Sequence, residues 1–219
     1  MKDVIISPSV LDADFLHFND EIEKIKNAGI NWIHFDVMDG HFVKNISFGN
    51  IFLKSITKNI DLVKDVHIMI EDPLPMVKKF KEAGADYLTF HYEACKSDSE
   101  VFEVIDAIHE CGMKAGLSIK PGTPVTKVYP FLHSLELVLI MSVEPGRGGQ
   151  KFIEQTLQRI FALKTKIRDE EVRTLISVDG GINDETGENC VQMGANILVV
   201  GQYLFGHGDF NERVERLLK

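Results

Sequence analysis

Eight short apolar segments alternate with longer amphipathic segments along the 219 residues, and this alternation limits the fold more than any other feature of the sequence. The segments between the apolar ones repeat apolar residues at i, i+3 and i+4, the spacing of a helix that packs one face on a sheet. Helices between successive strands imply that the strands pair in parallel. We predict strands at residues 4–6, 32–37, 62–70, 87–90, 114–119, 137–142, 175–178 and 197–200.

A weak glycine repeat supports eight equal units. Gly29, Gly84, Gly112 and Gly194 each follow a predicted helix and precede a strand, at intervals of 55, 28 and 82 residues. These intervals are near two, one and three multiples of about 27 residues, one eighth of the chain. Glycine there permits the left-handed helix cap. We therefore predict a single domain over residues 1–219, an α/β fold closed as a (β/α)8 TIM barrel; an open doubly wound sheet is the alternative.

Composition excludes several classes of protein. Lys and Arg total 24 against 33 Asp and Glu, so the net charge of −9 argues against nucleic acid or an anionic membrane surface as a partner. No apolar segment approaches the roughly 20 residues that a membrane helix needs. Three separated cysteines without a CxxC pair fit a reducing compartment better than a disulfide framework or a thiolate zinc site. We expect a cytoplasmic protein.

Ionisable side chains occur near the carboxyl ends of three predicted strands. The period of two places His34 and Asp36 on one face of their strand, opposite the apolar residues. His67 lies in the next strand, and Asp179 ends the seventh. Buried charge is costly unless it is paired or bound to metal, so each residue is either a satisfied polar group or part of a site. Two imidazoles and two carboxylates suit one divalent ion such as Zn²⁺, Fe²⁺, Mn²⁺ or Co²⁺.

Glycine clusters follow the last three predicted strands, at residues 146–149, 180–181 and 201. They are either tight turns or a phosphate site, since barrels commonly hold phosphate on backbone N–H groups in this region. Three successive clusters at one end of a barrel favour phosphate. We therefore predict a small phosphorylated molecule as the ligand.

Five segments resemble the ribulose-phosphate 3-epimerase family. They are SPS at 7–9, HFDVMDGHFV at 34–43, DVHIM at 65–69, MSVEPG at 141–146 and VDGGIN at 178–183. The resemblance extends in order over nearly the whole chain, and the HFDVMDGHF segment is its most specific part. It implies a metal-dependent TIM barrel of the ribulose-phosphate-binding type. The implied enzyme is an isomerase of the pentose phosphate pathway that interconverts D-ribulose 5-phosphate and D-xylulose 5-phosphate.

The resemblance also implies roles for individual residues. His34, Asp36, His67 and Asp179 would bind the metal, and Asp36 and Asp179 would also be the catalytic acid/base pair. The implied substrate contacts are Ser9, Met38, His67, Met69, Met141, Gly146, Arg147, Gly148, Gly149, Gly180, Gly181, Gly201 and Gln202. The implied partner is a small phosphorylated ketose, and association into a homo-oligomer is left open.

Three residues depart from the family pattern. The family usually has Pro, Phe and Ser at the positions of Lys44, Arg147 and Gln202. These exchanges leave a second possibility, a 3-epimerase for another ketose phosphate such as allulose 6-phosphate. A non-catalytic protein that binds metal and sugar phosphate is the alternative of another class. Outside these motifs, we expect His91 and Glu93 to make hydrogen bonds at the barrel rim and Thr123 to cap a helix between the fifth and sixth strands.

Overall fold

Eight parallel strands form the centre of the protein in a computed structural model that describes residues 4–58 and 60–219. Residues 1–3 and 59, which belong to the predicted domain, lie outside the described residues. The strands are β1 (Ile5–Pro8), β2 (Trp32–Met38), β3 (Val63–Met69), β4 (Tyr87–His91), β5 (Lys114–Ile119), β6 (Leu137–Met141), β7 (Leu175–Asp179) and β8 (Ile197–Val200).

The strands pair in the order β1-β8-β7-β6-β5-β4-β3-β2, and a parallel bridge between Ser9 and His34 joins the two ends of the sheet. The predicted TIM barrel is confirmed. The open doubly wound sheet is wrong, because that fold leaves its first and last strands as edges.

Within residues 4–58 and 60–219, an α-helix follows seven of the eight strands. The described residues include α1 (Phe18–Asn27), α2 (Asn50–Thr57), α3 (Val77–Glu82), α4 (Asp98–Glu110), α5 (Thr156–Asp169), α6 (Asp184–Met193) and α7 (Phe210–Leu217). The exception is the connection from β5 to β6, where residues Val125–Ser134 form a 3-10 segment that contains Pro130. The expected Thr123 cap is wrong, because Pro124 is at the cap position of this segment and the Thr123 hydroxyl donates to Glu93 instead. Across the parts of the chain described here, none of the helices combines the length and apolarity needed to cross a bilayer.

The glycine repeat is explained by backbone conformation. Gly29, Gly84, Gly112 and Gly194 have φ values of 73°, 94°, 68° and 114° at the helix ends that precede β2, β4, β5 and β8. These positive values are readily accessible only to glycine. The repeat therefore records the point at which each of these four helices ends and the chain turns back to the barrel.

Alternation along the strands separates an apolar shell from a barrel interior. Ile33, Phe35 and Val37 of β2 are buried in the core between strands and helices. The opposite face points into the barrel, where Trp32 and Tyr87 pack with ring centroids 4.7 Å apart near the amino ends of their strands. Apolar side chains thus close one half of the barrel, and the ionisable residues predicted from the sequence occupy the other half.

Candidate active site

Four ionisable side chains from three strands converge at the carboxyl end of the barrel. His34 and Asp36 lie on β2, His67 on β3 and Asp179 at the end of β7. One nitrogen or oxygen atom from each lies within 4.8 Å of the corresponding atoms of the other three. This set of imidazole and carboxylate atoms is able to hold a divalent metal ion.

Strand register explains the convergence. Asp36 pairs with His67 across β2 and β3, so their side chains project on the same side of the sheet. The carboxyl ends of parallel strands in a barrel meet on one face, which brings Asp179 of the distant β7 to the same place. His67 Nδ1 is 3.0 Å from Asp36 Oδ1 and 4.0 Å from Asp179 Oδ2.

Hydrogen bonds fix the two β2 side chains from behind. His34 Nδ1 is 2.7 Å from Asp65 Oδ2, while His34 Nε2 is 3.2 Å from Asp36 Oδ1. Ser9 donates its hydroxyl proton to Asp36 Oδ2 at 2.6 Å. A carboxylate behind a histidine orients the ring and fixes its tautomer in metal sites. We did not single out Asp65 from the sequence, although the period of two places it on the same face as His67.

The surroundings of the two carboxyl groups shift their pKa values in opposite directions. Burial would raise the pKa of Asp36, but the neighbouring His34 imidazole outweighs it, so the pKa of Asp36 falls well below the usual value. Burial and the neighbouring Asp36 raise the pKa of Asp179 to about 8. Burial alone would lower the pKa of His34, but Asp36 and Asp65 outweigh it and raise that pKa. A divalent cation among these atoms would favour the ionised form of both carboxyl groups.

A cavity of about 680 Å³ opens above the four residues. Asp36 and Asp179 line it, whereas His34 and His67 are fully buried and contact Asp36 from within the barrel. The volume is within the range of small-molecule sites. The other predicted residues that line it are Ser9, Met38, Met69, Met141, Gly146, Arg147, Gly148, Gly149, Gly180, Gly181, Gly201 and Gln202.

Gly181 lets backbone approach backbone along one wall of this cavity. Gly181 has φ of 64°, and a Cβ there would lie 2.7 Å from the backbone nitrogen of Phe152. The loop after β6 is tied to the loop after β2, because Asn45 donates from Nδ2 to the carbonyl of Gly146 at 2.7 Å. Arg147, which lines the cavity, is exposed, as is Lys44 on the loop after β2.

Asp12 also lines the cavity, and we did not predict it from the sequence. It lies beside Gly148 and Gly201, where a Cβ on either glycine would collide with its carboxylate, and it accepts a hydrogen bond from the backbone N–H of Gln202. Burial and Asp36 raise its pKa. Asp12 follows β1 in a short 3-10 turn, so no sequence periodicity indicates its direction.

Residues 5–205 match the model of the ribulose-phosphate 3 epimerase family. The chain belongs to the ribulose-phosphate 3-epimerase family. A relative named ribulose-phosphate 3-epimerase from Bacillus subtilis is 41% identical over 214 residues, which cover 97% of each chain. The chloroplastic ribulose-5-phosphate-3-epimerase of Arabidopsis thaliana is 39% identical over 98% of this chain and 76% of its own length.

Solved structures outside the ribulose-phosphate 3-epimerase family share the architecture. A 3-hexulose-6-phosphate synthase from Salmonella typhimurium matches with a TM-score of 0.70 at 16% identity, covering 98% of this chain and 96% of that one. A tryptophan synthase A-subunit from Pyrococcus furiosus matches with a TM-score of 0.69 at 15% identity, covering 99% and 97%. At these identities the likeness shows the barrel fold alone.

Proposed function

We propose that the chain is a metal-dependent epimerase that interconverts D-ribulose 5-phosphate and D-xylulose 5-phosphate. The observation that carries the proposal is the convergence of Asp36 and Asp179 with two histidines at the floor of a cavity whose wall is rich in glycine. Membership in the family and the names of its relatives give the substrate class.

His34, Asp36, His67 and Asp179 would hold one divalent ion of the Zn²⁺, Fe²⁺, Mn²⁺ or Co²⁺ type. The donor set fits, because two nitrogen and two oxygen ligands suit a borderline cation. When bound, the ion supplies positive charge that stabilises the enediolate formed when a carbon beside a ketone loses its proton.

Epimerisation at C3 requires that a proton leaves one face of the carbon and that another arrives on the opposite face. Asp36 and Asp179 would be the two groups that exchange these protons. As one carboxylate takes the C3 proton, the electron pair of the broken C3–H bond passes into the enediolate. The other carboxyl group then returns a proton to C3 on the opposite face. The roles reverse with the direction of reaction.

The remaining residues would position the substrate. Ser9, which donates to Asp36 Oδ2, holds that carboxylate in place and reaches the sugar. The thioethers of Met38, Met69 and Met141 line the reacting centre with apolar surface, which strengthens electrostatic interactions there. The phosphate would bind backbone N–H groups of the glycine clusters. Phosphate binding positions C3, so a dephosphorylated sugar should be a much poorer substrate.

Conversion of Asp36 or Asp179 to asparagine tests the catalytic pair. Asparagine matches the size of the carboxylate but cannot accept a proton, so each variant should lose turnover and keep its fold. Asp86→Asn is the matched control, since Asp86 pairs with Lys64 at 2.9 Å outside the cavity lining. Substantial epimerase activity in Asp36→Asn or Asp179→Asn would overturn the assignment.

A 3-epimerase for a hexulose 6-phosphate such as allulose 6-phosphate is the second candidate. Arg147 and Gln202 favour it, because both long polar side chains line the cavity. Side-by-side measurement of kcat/KM on ribulose 5-phosphate and allulose 6-phosphate separates the two substrates. We expect the larger value for ribulose 5-phosphate; the reverse order would assign the hexulose phosphate.

A further inference from the structure

His67 is held through both ring nitrogens. Nδ1 faces Asp36 and Asp179, and Nε2 lies 2.9 Å from Nε2 of His91. The other nitrogen of His91, Nδ1, lies 3.2 Å from Oε2 of Glu93. Both imidazoles are fully buried. We name these hydrogen bonds, from Glu93 through His91 to His67, the Glu93 relay.

Glu93 is itself fixed by the loop after β5. Its Oε1 accepts the backbone N–H of Lys120 at 2.8 Å and the hydroxyl of Thr123. Both donors use the same oxygen, so Oε2 is left to face His91. The hydrogen bonds expected for His91 and Glu93 from the sequence are present, but His91 is buried and contacts a residue of the candidate metal site.

The donors and acceptors along the relay can be assigned from chemistry. An ionised carboxylate only accepts, so His91 Nδ1 carries the proton and donates to Glu93. A neutral imidazole has one donor and one acceptor, so His91 Nε2 accepts from His67 Nε2. His67 Nδ1 then presents a lone pair toward Asp36 Oδ1, an arrangement of two acceptors at 3.0 Å that a cation between them would stabilise.

We infer that Glu93 and His91 are positioning residues for the metal site, which hold His67 in the tautomer whose Nδ1 is free to bind the cation. The inference rests on the proposed function, since it needs the metal site. His34 is arranged in the same way by a single carboxylate, with Asp65 on Nδ1 and the cluster on Nε2. Nε2 of His67 contacts His91 instead of a carboxylate, and His91 connects it to Glu93.

Glu93→Gln tests the direction of the relay. Lys120 N–H and Thr123 Oγ1 both donate to the Oε1 position, so the amide oxygen of glutamine occupies that position and its NH₂ group faces His91 Nδ1. The relay then reverses, and the proton is placed on Nδ1 of His67. We expect the Zn²⁺ affinity of the 219-residue chain, measured by competition with a chromophoric chelator, to fall about 10- to 100-fold.

Three further variants distinguish positioning from general loss of structure. Glu136→Gln is the control, because Glu136 also contacts a histidine, His109 at 3.0 Å, and accepts the N–H of Ala115 at 2.8 Å, but lies outside the relay. His91→Phe removes the hydrogen-bond acceptor for His67 Nε2. It keeps an aromatic ring beside Phe42, whose ring centroid lies 4.8 Å from that of His91 in the unaltered chain. The double variant His91→Phe/Glu93→Gln should bind Zn²⁺ no more weakly than His91→Phe alone, since both changes interrupt one path.

Nitrogen NMR of the Zn²⁺-loaded chain reads the tautomer directly. We expect His67 to be protonated at Nε2 and His91 at Nδ1. Equal Zn²⁺ affinity in the unaltered chain, Glu93→Gln and Glu136→Gln, or additive losses in the double variant, would overturn the inference and leave the proposed function intact. An unaltered chain that binds no Zn²⁺, Fe²⁺, Mn²⁺ or Co²⁺ would overturn both.

Discussion

Replacement of Glu93 by glutamine should destabilise the metal-free protein by an amount that depends on pH. Burial would raise the pKa of Glu93, but hydrogen bonds from His91 and Thr123 outweigh it and lower the pKa from 4.5 to about 2. The carboxylate is 20% exposed, so solvent screens its interactions only in part. Because the folded state holds the ionised form more favourably than the unfolded chain does, the charge stabilises the fold at neutral pH.

The size of this destabilisation follows from the lowered pKa of Glu93. A difference of about 2.5 pKa units corresponds to an upper limit of about 3 kcal/mol at pH 7. The stabilisation is complete above the unfolded-state pKa of 4.5 and is lost as the pH falls through about 2. At pH 3 roughly 1.4 kcal/mol of it would remain. Glutamine keeps an acceptor for Lys120 and Thr123, so we expect a loss of about 2–3 kcal/mol at neutral pH.

Urea denaturation of the metal-free chain at pH 7, 5, 4 and 3 measures the free energy of unfolding of both proteins. The difference between the unaltered chain and Glu93→Gln should be largest at pH 7 and 5 and should fall by more than half at pH 3. A difference that is constant over this range would show that Glu93 contributes through packing rather than charge. An increase toward low pH would refute the reasoning, since it requires a raised pKa.

Three further predictions concern the cavity. Asp12→Asn should bind inorganic phosphate about 5- to 10-fold more tightly in a competition assay, because it removes a negative charge beside Gly148 and Gly201 that repels the anion; unchanged or weaker binding would contradict this. Gly181→Ala should lower Tm by about 4–8 °C, from positive φ and a collision with Phe152, whereas Gly122→Ala, which has open space, should leave Tm nearly unchanged. Treatment with a chelator should abolish epimerase activity, and one of Zn²⁺, Fe²⁺, Mn²⁺ or Co²⁺ should restore it; full activity after verified removal of metal would contradict the proposed ion.

Features that repeat along the chain could be predicted from the sequence. The strand that carries His34 and Asp36 is predicted at residues 32–37 and observed at Trp32–Met38. The prediction is this close because polar and apolar residues alternate along the strand. The carboxyl ends of parallel strands meet by topology, so the convergence of Asp36 with Asp179 follows from the fold once eight units are counted.

Features that depend on side-chain packing or on local backbone were not predictable. Pro130 lies inside the segment before β6, which is a 3-10 helix and not the expected α-helix. The spacing of its apolar residues does not distinguish the two kinds of helix. Asp12 lies in a turn, where the direction of its side chain depends on contacts with the loops after β6 and β8. His91 was expected at the rim, but its burial depends on the contact between its ring and His67 of the neighbouring strand.

Incorporation of solvent deuterium at C3 of the product tests the two-carboxylate mechanism most directly. During early turnover of ribulose 5-phosphate in D₂O, each molecule of xylulose 5-phosphate should carry one deuterium at C3, because the proton delivered to the second face comes from a different group than the one that removed the first. Product that retains the original C3 hydrogen would mean that one group moves a single proton between faces, and the paired roles of Asp36 and Asp179 would be wrong.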